Sequence, residues 1–220
     1  MYTYAFLNSI ATLDLPEGII GSLQLIVANQ LAAVVELNLE LEPFQSSDIR
    51  LMQAVLSHDR VIREIFEQVT VLPLRFGTCF VSRQALLEHL ESYQTEYLSK
   101  LNRLQGQAEY LLKLTPVMLP EPSIAADVKG KEYFLAKKKQ FQAQAEWQQQ
   151  QQEELDELVQ TIAQAYPNLI RTESSDGVER VYLLGDRQQA PAFQEYLNRL
   201  PPHPHWELSI GEALPPYHFV

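Results

Sequence analysis

The order of predicted elements after Gly106 most constrains what this chain of 220 residues can fold into. Hydrophobic periodicity and turn residues there predict a strand at 110–114, a helical region at about 129–165, strands at 168–172 and 178–184, a helix from 191 and a strand at 206–210. This β-α-β-β-α-β order is that of a ferredoxin-like domain, although its first crossover is unusually long. We therefore predict a modified ferredoxin-like domain over residues 106–211, with inserted helices at about 123–165.

Residues 1–105 predict a separate domain of strands and helices. A strand at 2–7 precedes a hairpin in which Asn29-Gln30 joins residues 23–28 to an alternating run at 31–42. That alternation predicts a sheet with one side facing solvent, because its polar residues share a face. The sequence then predicts a helix after Ser46-Ser47-Asp48, a regular or irregular strand at 71–81, and one long helix that starts at Ser82. The apolar positions of the first of these helices include Met52, Val55, Leu56, Ile62, Ile65, Phe66 and Val69. The chain as a whole is predicted to be α+β, with a small, mainly antiparallel sheet in its first domain.

The composition argues against several classes of partner. A formal net charge of −11 without a dense Lys/Arg stripe disfavours nucleic acid. No apolar run approaches the roughly 18 residues that cross a bilayer, and the N-terminus lacks a signal-peptide pattern. Cys79 is the only cysteine, so an intrachain disulfide is impossible. We expect a soluble, cytoplasmic protein that binds neither nucleic acid nor a membrane.

Residues 71–78 carry an arginine and a proline inside an otherwise apolar run. Pro73 cannot donate to a sheet ladder, and Gly77 permits backbone conformations that other residues avoid. Arg75, between Leu74 and Phe76, is expected to bring its guanidinium into or beside a core, where it needs a fixed partner. Arg75 and Phe76 are therefore candidates for a bridge between the domains or for a partner-binding face.

The C-terminal tail, residues 212–220, is apolar and aromatic where chain ends are usually polar. Its candidate contact residues are Pro215, Pro216, Tyr217 and Phe219. Aromatic rings of this size each remove about 150–250 Å² from water when they pack. We expect the tail to lie against the body, in the groove between the two domains; the rival interpretation places it in a partner's groove.

No arrangement of residues indicates an active site. Cys79 with His58 as base lacks a third group, and an apolar strand usually holds a cysteine as a small core residue. His203, His205 and His218 match no recognised metal-ligand spacing. The acids Glu153, Glu154, Asp156 and Glu157 are expected to be solvated on a helix, and His89 fits an exposed helix face. Glycine-rich phosphate loops are absent from the sequence. We predict no catalytic, cofactor-binding or metal-binding residues, and no enzyme.

Several motifs, in order, resemble the gas vesicle protein F/L family. The central one is Val71-Leu-Pro-Leu-Arg-Phe-Gly-Thr-Cys-Phe80. The others are Tyr2-x-Tyr4-Ala5, Leu31-Ala-Ala-Val-Val35, Gly106-Gln-Ala-Glu109, Gly130-Lys-Glu-Tyr133-Phe134, Val181-Tyr-Leu-Leu184 and Pro215-Pro216-Tyr217-x-Phe219. Leu214 departs from the family pattern, which commonly has tryptophan there. The resemblance covers nearly the whole chain, and we favour an F-type over an L-type member.

The resemblance implies a non-enzymatic accessory or minor structural protein of gas vesicles, located on the vesicle within the cytoplasm. Its implied partners are the hydrophobic shell protein, contacted during vesicle formation, and other gas vesicle accessory proteins. No cofactor is implied. Two other hypotheses stay open: a ligand-binding or enzymatic ferredoxin-like protein of unknown substrate, and a self-assembling scaffold.

Overall fold

The computed structural model describes residues 1–119, 130–172 and 177–220. Contacts divide the chain into two compact units, each built from separate stretches of sequence. The first unit comprises Met1–Glu109, Leu184–Gln188 and Ala213–Val220, and the second comprises Tyr110–Leu183 and Gln189–Glu212. The predicted domain boundary near residue 105 and the position of the tail between domains stay predictions.

The described residues form eight strands and six helices, which confirms the predicted α+β fold class. The elements up to Leu104 are β1 (Tyr2–Asn8), β2 (Leu23–Ala28), β3 (Leu31–Glu36), α1 (Glu42–Gln45), α2 (Asp48–Gln68), β4 (Leu72–Pro73), α3 (Arg83–Ser92) and α4 (Gln94–Leu104). The remaining elements are β5 (Gln107–Pro116), α5 (Lys131–Ala165), β6 (Leu169–Thr172), β7 (Glu179–Asp186), α6 (Ala190–Asn198) and β8 (Trp206–Ile210).

The first sheet has the strand order β2-β3-β1-β4, with antiparallel pairing throughout. The predicted hairpin is confirmed: β2 pairs with β3 from Leu23↔Glu36 to Ala28↔Leu31. Asn29 in its two-residue turn has φ 53°, a left-handed conformation that asparagine tolerates better than most residues. The turn residues therefore set the register of this sheet.

The prediction of one solvent-facing side on the strand at 31–42 is wrong. The strand ends at Glu36, and all six of its residues are buried. Asn38, at φ 59°, turns the chain away from the sheet two residues later. Leucines of α3 and α4 pack with Ala33 and Val35 in one core cluster, while His58 of α2 stacks on Tyr4 of β1. Helices therefore cover both sides of this sheet, and Glu36 lies inside the unit.

Two further predictions for the first unit are wrong in detail. The strand expected at 71–81 is regular only at Leu72–Pro73, and a turn follows in which the Thr78 N–H donates to the Arg75 carbonyl (3.1 Å). The helix that begins after Ser82 stops at Ser92 and restarts at Gln94. The break falls at Tyr93, whose ring contacts those of His89 and Tyr97. The cap is as predicted, because Ser82 Oγ accepts from the Ala85 N–H (3.1 Å).

The second sheet has the strand order β6-β7-β5-β8, and its elements follow the predicted β-α-β-β-α-β sequence. The long crossover is α5, a helix of 35 residues that contains the run of five glutamines at 148–152. The second half of this helix packs through the buried side chains Leu155, Leu158 and Ile162, whereas most of residues 131–146 are exposed. Residues 123–129 of the predicted insertion, and the loop at 173–176, lie outside the described residues.

Candidate functional site

The segment after β4 is positioned by two buried side chains, Tyr2 and His58. Nε2 of His58 donates to the Leu74 carbonyl (3.0 Å), and the Tyr2 hydroxyl donates to Nδ1 of the same ring (2.8 Å). The Gly77 N–H donates in turn to the Tyr2 hydroxyl (3.3 Å). The Phe76 ring meets the rings of Tyr2 and His58 edge-on, at centroid distances of 6.0 and 5.7 Å. The turn is thus attached at both ends to β1 and α2.

Arg75 and Cys79 lie on the solvent side of this turn. Both residues are exposed, so the expectations that the Arg75 guanidinium enters or flanks a core and that Cys79 is a core residue are wrong. The reason is the early end of β4, which leaves the sequence after Leu74 in a turn instead of a strand. Both ring nitrogens of His58 serve the fold, which argues against its role as a base for Cys79. The roles proposed for Arg75 and Phe76 in bridging or partner binding stay predictions.

Glu36 forms a second buried polar site in the first unit. Its carboxylate accepts from the backbone N–H groups of Ile19 (2.8 Å), Ile20 (2.8 Å) and Gly21 (2.6 Å), and from the Tyr4 hydroxyl (2.5 Å). Gly18 packs so closely that an added Cβ would lie 2.3 Å from Glu36 Oε2. Burial, reinforced by Glu36, raises the pKa of Tyr4, so its hydroxyl stays protonated and donates. The carboxylate thereby fixes the loop at 17–22 against the sheet.

The stability of the first unit is predicted to fall on acidification because His58 is buried. Burial lowers the pKa of His58 below its ordinary value, against smaller opposing effects of the Leu74 carbonyl and Asp59. The unfolded chain therefore takes up the proton first, so stability is fully present above about pH 6.5 and declines as the pH falls from there toward the folded-state pKa. Urea unfolding at several pH values checks this for the wild type and for H58Q. The glutamine variant should show the smaller loss between neutral and acidic pH, and equal losses would contradict the prediction.

The C-terminal tail lies against the first unit, to which it belongs. The Tyr217 hydroxyl donates to Asp59 of α2 (2.6 Å), and burial, followed by this bond, raises the pKa of Tyr217. Glu109, only 1% exposed, accepts from the backbone N–H and from Nδ1 of His218, both at 2.8 Å. The backbone of Glu109 also pairs with that of Leu214 (2.8 and 2.9 Å). The side chain and the backbone of the buried Glu109 therefore both bind the tail.

Each predicted tail residue has a defined place in this contact. Pro215 and Pro216 are buried, and Phe219 is half-buried against the core cluster of the first unit. Arg103 of α4 donates to the Phe219 carbonyl (2.5 Å). His58 and Asp59, consecutive on α2, contact the central turn and the tail respectively. The two segments that the sequence analysis singled out therefore meet the same helix.

The histidine and acidic candidates have structural partners. His203 contacts the Pro201 carbonyl, His205 contacts Glu154, and His218 contacts Glu109. Glu154 is therefore part of a contact, and the expectation that it is a solvated acid is wrong. His89 is likewise half-buried among Phe6, Phe80, Tyr93 and Tyr97, and burial lowers its pKa. Within the described ranges, no three His, Cys, Asp or Glu side chains group to hold a metal ion.

The α2 face, which we define as Ile49, Met52, Val55 and Leu56, is an apolar surface, and the sequence analysis counted the last three among the apolar positions of the helix. The exposed fractions of Ile49, Met52 and Leu56 are 72%, 66% and 63%. At 100° per residue, Ile49 and Leu56 lie almost opposite His58 and Ile65, which face the sheet. The first half of α2 is therefore apolar on two opposite sides, and only one of them is buried. Among the described residues, no helix is long and apolar enough to span a membrane.

Comparison with known proteins identifies the family. The model of the family described as gas vesicle synthesis protein GvpL/GvpF matches residues 1–220. A protein named gas vesicle protein F from Streptomyces sp. (strain CB03234) is 28% identical over 186 residues, which cover 76% of each chain. The crystal structure of GvpF from Microcystis aeruginosa has a TM-score of 0.70 at 15% identity and covers 99% of this chain and 97% of its own. GvpF from Anabaena sp. PCC7120 gives a TM-score of 0.68 at 13% identity, covering 99% and 94%. The predicted resemblance is thereby confirmed, and the chain belongs to the gas vesicle synthesis protein GvpL/GvpF family.

Proposed function

We propose that this gas vesicle protein is a non-enzymatic assembly factor that contacts the hydrophobic shell protein through the α2 face. Family membership supports the gas vesicle role. The contact rests on one observation, the outward-facing apolar side chains Ile49, Met52 and Leu56. Clustered apolar surface of this kind is typical of interaction sites on soluble proteins.

The shape of the α2 face suits a helical or extended apolar partner. Ile49, Met52 and Leu56 are spaced by three and four residues, so they form one stripe along the helix. Asp59 and Arg63 continue the stripe and are paired with each other (2.6 Å). The apolar surface therefore ends in a charged pair, which gives the contact a defined end on the helix.

The charge of the chain fits the handling of an aggregation-prone client. A formal net charge of −11 opposes self-association of the accessory protein while the apolar stripe is exposed. In this proposal the protein acts on the vesicle within the cytoplasm, and other gas vesicle accessory proteins are its further partners. Arg75 and Phe76 are proposed as additional contact residues, because the turn holds Arg75 in solvent.

Replacing the stripe with I49Q/M52Q/L56Q is expected to weaken binding to the shell protein at least tenfold. Each apolar side chain of this size contributes about 1.5–3 kcal/mol when it is fully buried, and glutamine preserves the helix. Split-fluorescent-protein reassembly between this protein and the shell protein measures the contact in cells. In a strain without its own copy of the protein, the variant should also fail to restore vesicles.

A matched control separates the α2 face from exposed apolar surface in general. Ile10, Ile20 and Val81 are 85%, 63% and 97% exposed and lie outside the helices of the same unit. The variant I10Q/I20Q/V81Q should bind the shell protein like the wild type. Equal binding by both triple variants would refute the proposed surface, and normal vesicles from I49Q/M52Q/L56Q would argue against its role.

A further inference from the structure

We propose that the first half of α5 is a docking arm for an amphipathic helix of another protein, one that carries acidic residues beside an apolar stripe. We define the α5 arm as residues 131–145. Phe134 and Phe141 on the arm are 69% and 65% exposed, and Tyr133 and Leu135 are 45% and 47% exposed. A helix of about 15 residues is only marginally stable in water when it packs against nothing. Exposed aromatic rings on such a segment therefore indicate a binding site for a partner.

The arm continues a helix whose second half is already packed. Trp147 Nε1 donates to the Val117 carbonyl (3.1 Å), and Trp206 Nε1 donates to the Gln151 carbonyl (2.8 Å). Beyond these bonds, Leu155 and Ile162 are buried in the second unit. The helix is thus anchored to the second unit from Trp147 onward, and the arm extends from this anchored half.

The apolar residues of the arm lie on the same seam as the buried ones. Phe134, Lys138, Phe141 and Ala145 are spaced by four, three and four residues, the heptad repeat of a helix that packs on another helix. The same spacing leads through the exposed Gln148 and Gln152 to Leu155, Val159 and Ile162. The heptad positions of the packed half of α5 therefore continue into the arm, with two glutamines between the two apolar stretches.

The charge of the arm is opposite to that of the rest of the chain. Four lysines and one glutamate give residues 131–145 a charge of +3, which leaves −14 for the remainder of a chain of net charge −11. A surface groove is lined by Phe134, Lys137, Lys138, Phe141, Gln142 and Ala145. Its apolar floor with lysines on either side complements an apolar stripe flanked by carboxylates.

Other occupants fit this charge distribution less well. A second copy would bring one arm of charge +3 against another, between bodies that also repel. A nucleic acid or an anionic bilayer presents negative charge over a wide area, which the −14 remainder of the chain opposes. A single acidic helix contacts the arm alone. The proposed arm is separate from the α2 face and does not depend on the shell-protein contact.

Fluorescence anisotropy of the full-length protein with designed peptides tests the proposal. The probe is a labelled three-heptad helix with leucine at positions a and d and glutamate at e and g; its counterpart has lysine at e and g. The wild type should bind the acidic peptide at least tenfold more tightly than the basic one, and more weakly at high salt. K137E/K138E should reverse the preference, and F134A/F141A should weaken binding about tenfold or more.

Two controls keep the result specific to the seam. Q144A alters the arm outside the groove lining, and I49Q/M52Q/L56Q alters the α2 face; both should bind the acidic peptide like the wild type. Equal affinity for the two peptides, or no reversal by K137E/K138E, would overturn the proposal. It would also be overturned if the protein bound phosphatidylglycerol vesicles but not the acidic peptide. The same holds if the wild-type protein formed dimers and the F134A/F141A variant did not.

Discussion

The E36A variant is expected to lose about 3–5 kcal/mol of unfolding free energy, the usual cost of removing one partner from a buried charged network. Three backbone N–H groups and the Tyr4 hydroxyl donate to the Glu36 carboxylate, which is fully buried. Alanine supplies no acceptor, so the N–H groups of Ile20 and Gly21 lose their partner and that of Ile19 keeps only the Tyr4 hydroxyl (3.1 Å). The loop at 17–22 thereby loses its attachment to β3. Urea unfolding, followed by circular dichroism, measures the change.

Glu40 provides the matched control, because it is an exposed glutamate four residues away in the sequence. E40A should change the free energy of unfolding by no more than about 0.5 kcal/mol. G18A tests the same site from the loop side, since its methyl group would clash with Glu36 Oε2. A stable E36A protein with an unchanged urea midpoint would show that water replaces the carboxylate at little cost, contrary to this account.

Deleting residues 214–220 is expected to destabilise the first unit by about 3–5 kcal/mol as well, because it removes partners of a second buried acid and also uncovers apolar surface. The deletion removes the His218 contacts of the buried Glu109 and uncovers the surface that Pro215 and Pro216 occupy. It also removes the Phe219 ring from the core cluster. Thermal unfolding should show a lower midpoint, and the protein should aggregate more readily because apolar surface becomes exposed.

Point variants separate the parts of the tail contact. Y217F removes the bond to Asp59 and is expected to cost about 1 kcal/mol. V220S changes the exposed last residue and should be neutral within about 0.5 kcal/mol. An unchanged midpoint after deletion of the whole tail would contradict the structural role proposed for Glu109.

Local sequence patterns predicted the elements better than the environments of individual residues. The hairpin, the Ser82 cap and the β-α-β-β-α-β order are set by contacts between residues close in sequence or by periodicity, and all three are present. Glu36 was assigned to a solvent-facing side by alternation alone. Its burial depends on N–H groups of residues 19–21, which only the tertiary fold brings to it.

The apolar residues of α2 show a second reason for failure. The sequence analysis counted Leu56 and Ile65 in one set of apolar positions, although the two residues lie on opposite sides of the helix, and it did not include Ile49. A helical-wheel projection of the sequence would have separated the two sides and found the candidate surface. For Glu109, the sequence signals are its place in the motif Gly106-Gln-Ala-Glu109 and its position between Ala108 and Tyr110 in a strand, and neither signal predicts its contact with His218.

The attachment of the tail has a consequence for the order of events during synthesis. Residues Ala213–Val220 belong to the same compact unit as β1, which the ribosome makes before them. The β1 sheet can begin to form early in translation, but its surroundings are complete only after Val220 has been made and has left the ribosome. Partial chains therefore leave Glu109 without the contacts of His218, and a bulky C-terminal fusion directly after Val220 would be attached next to Phe219, whose ring packs on the core cluster.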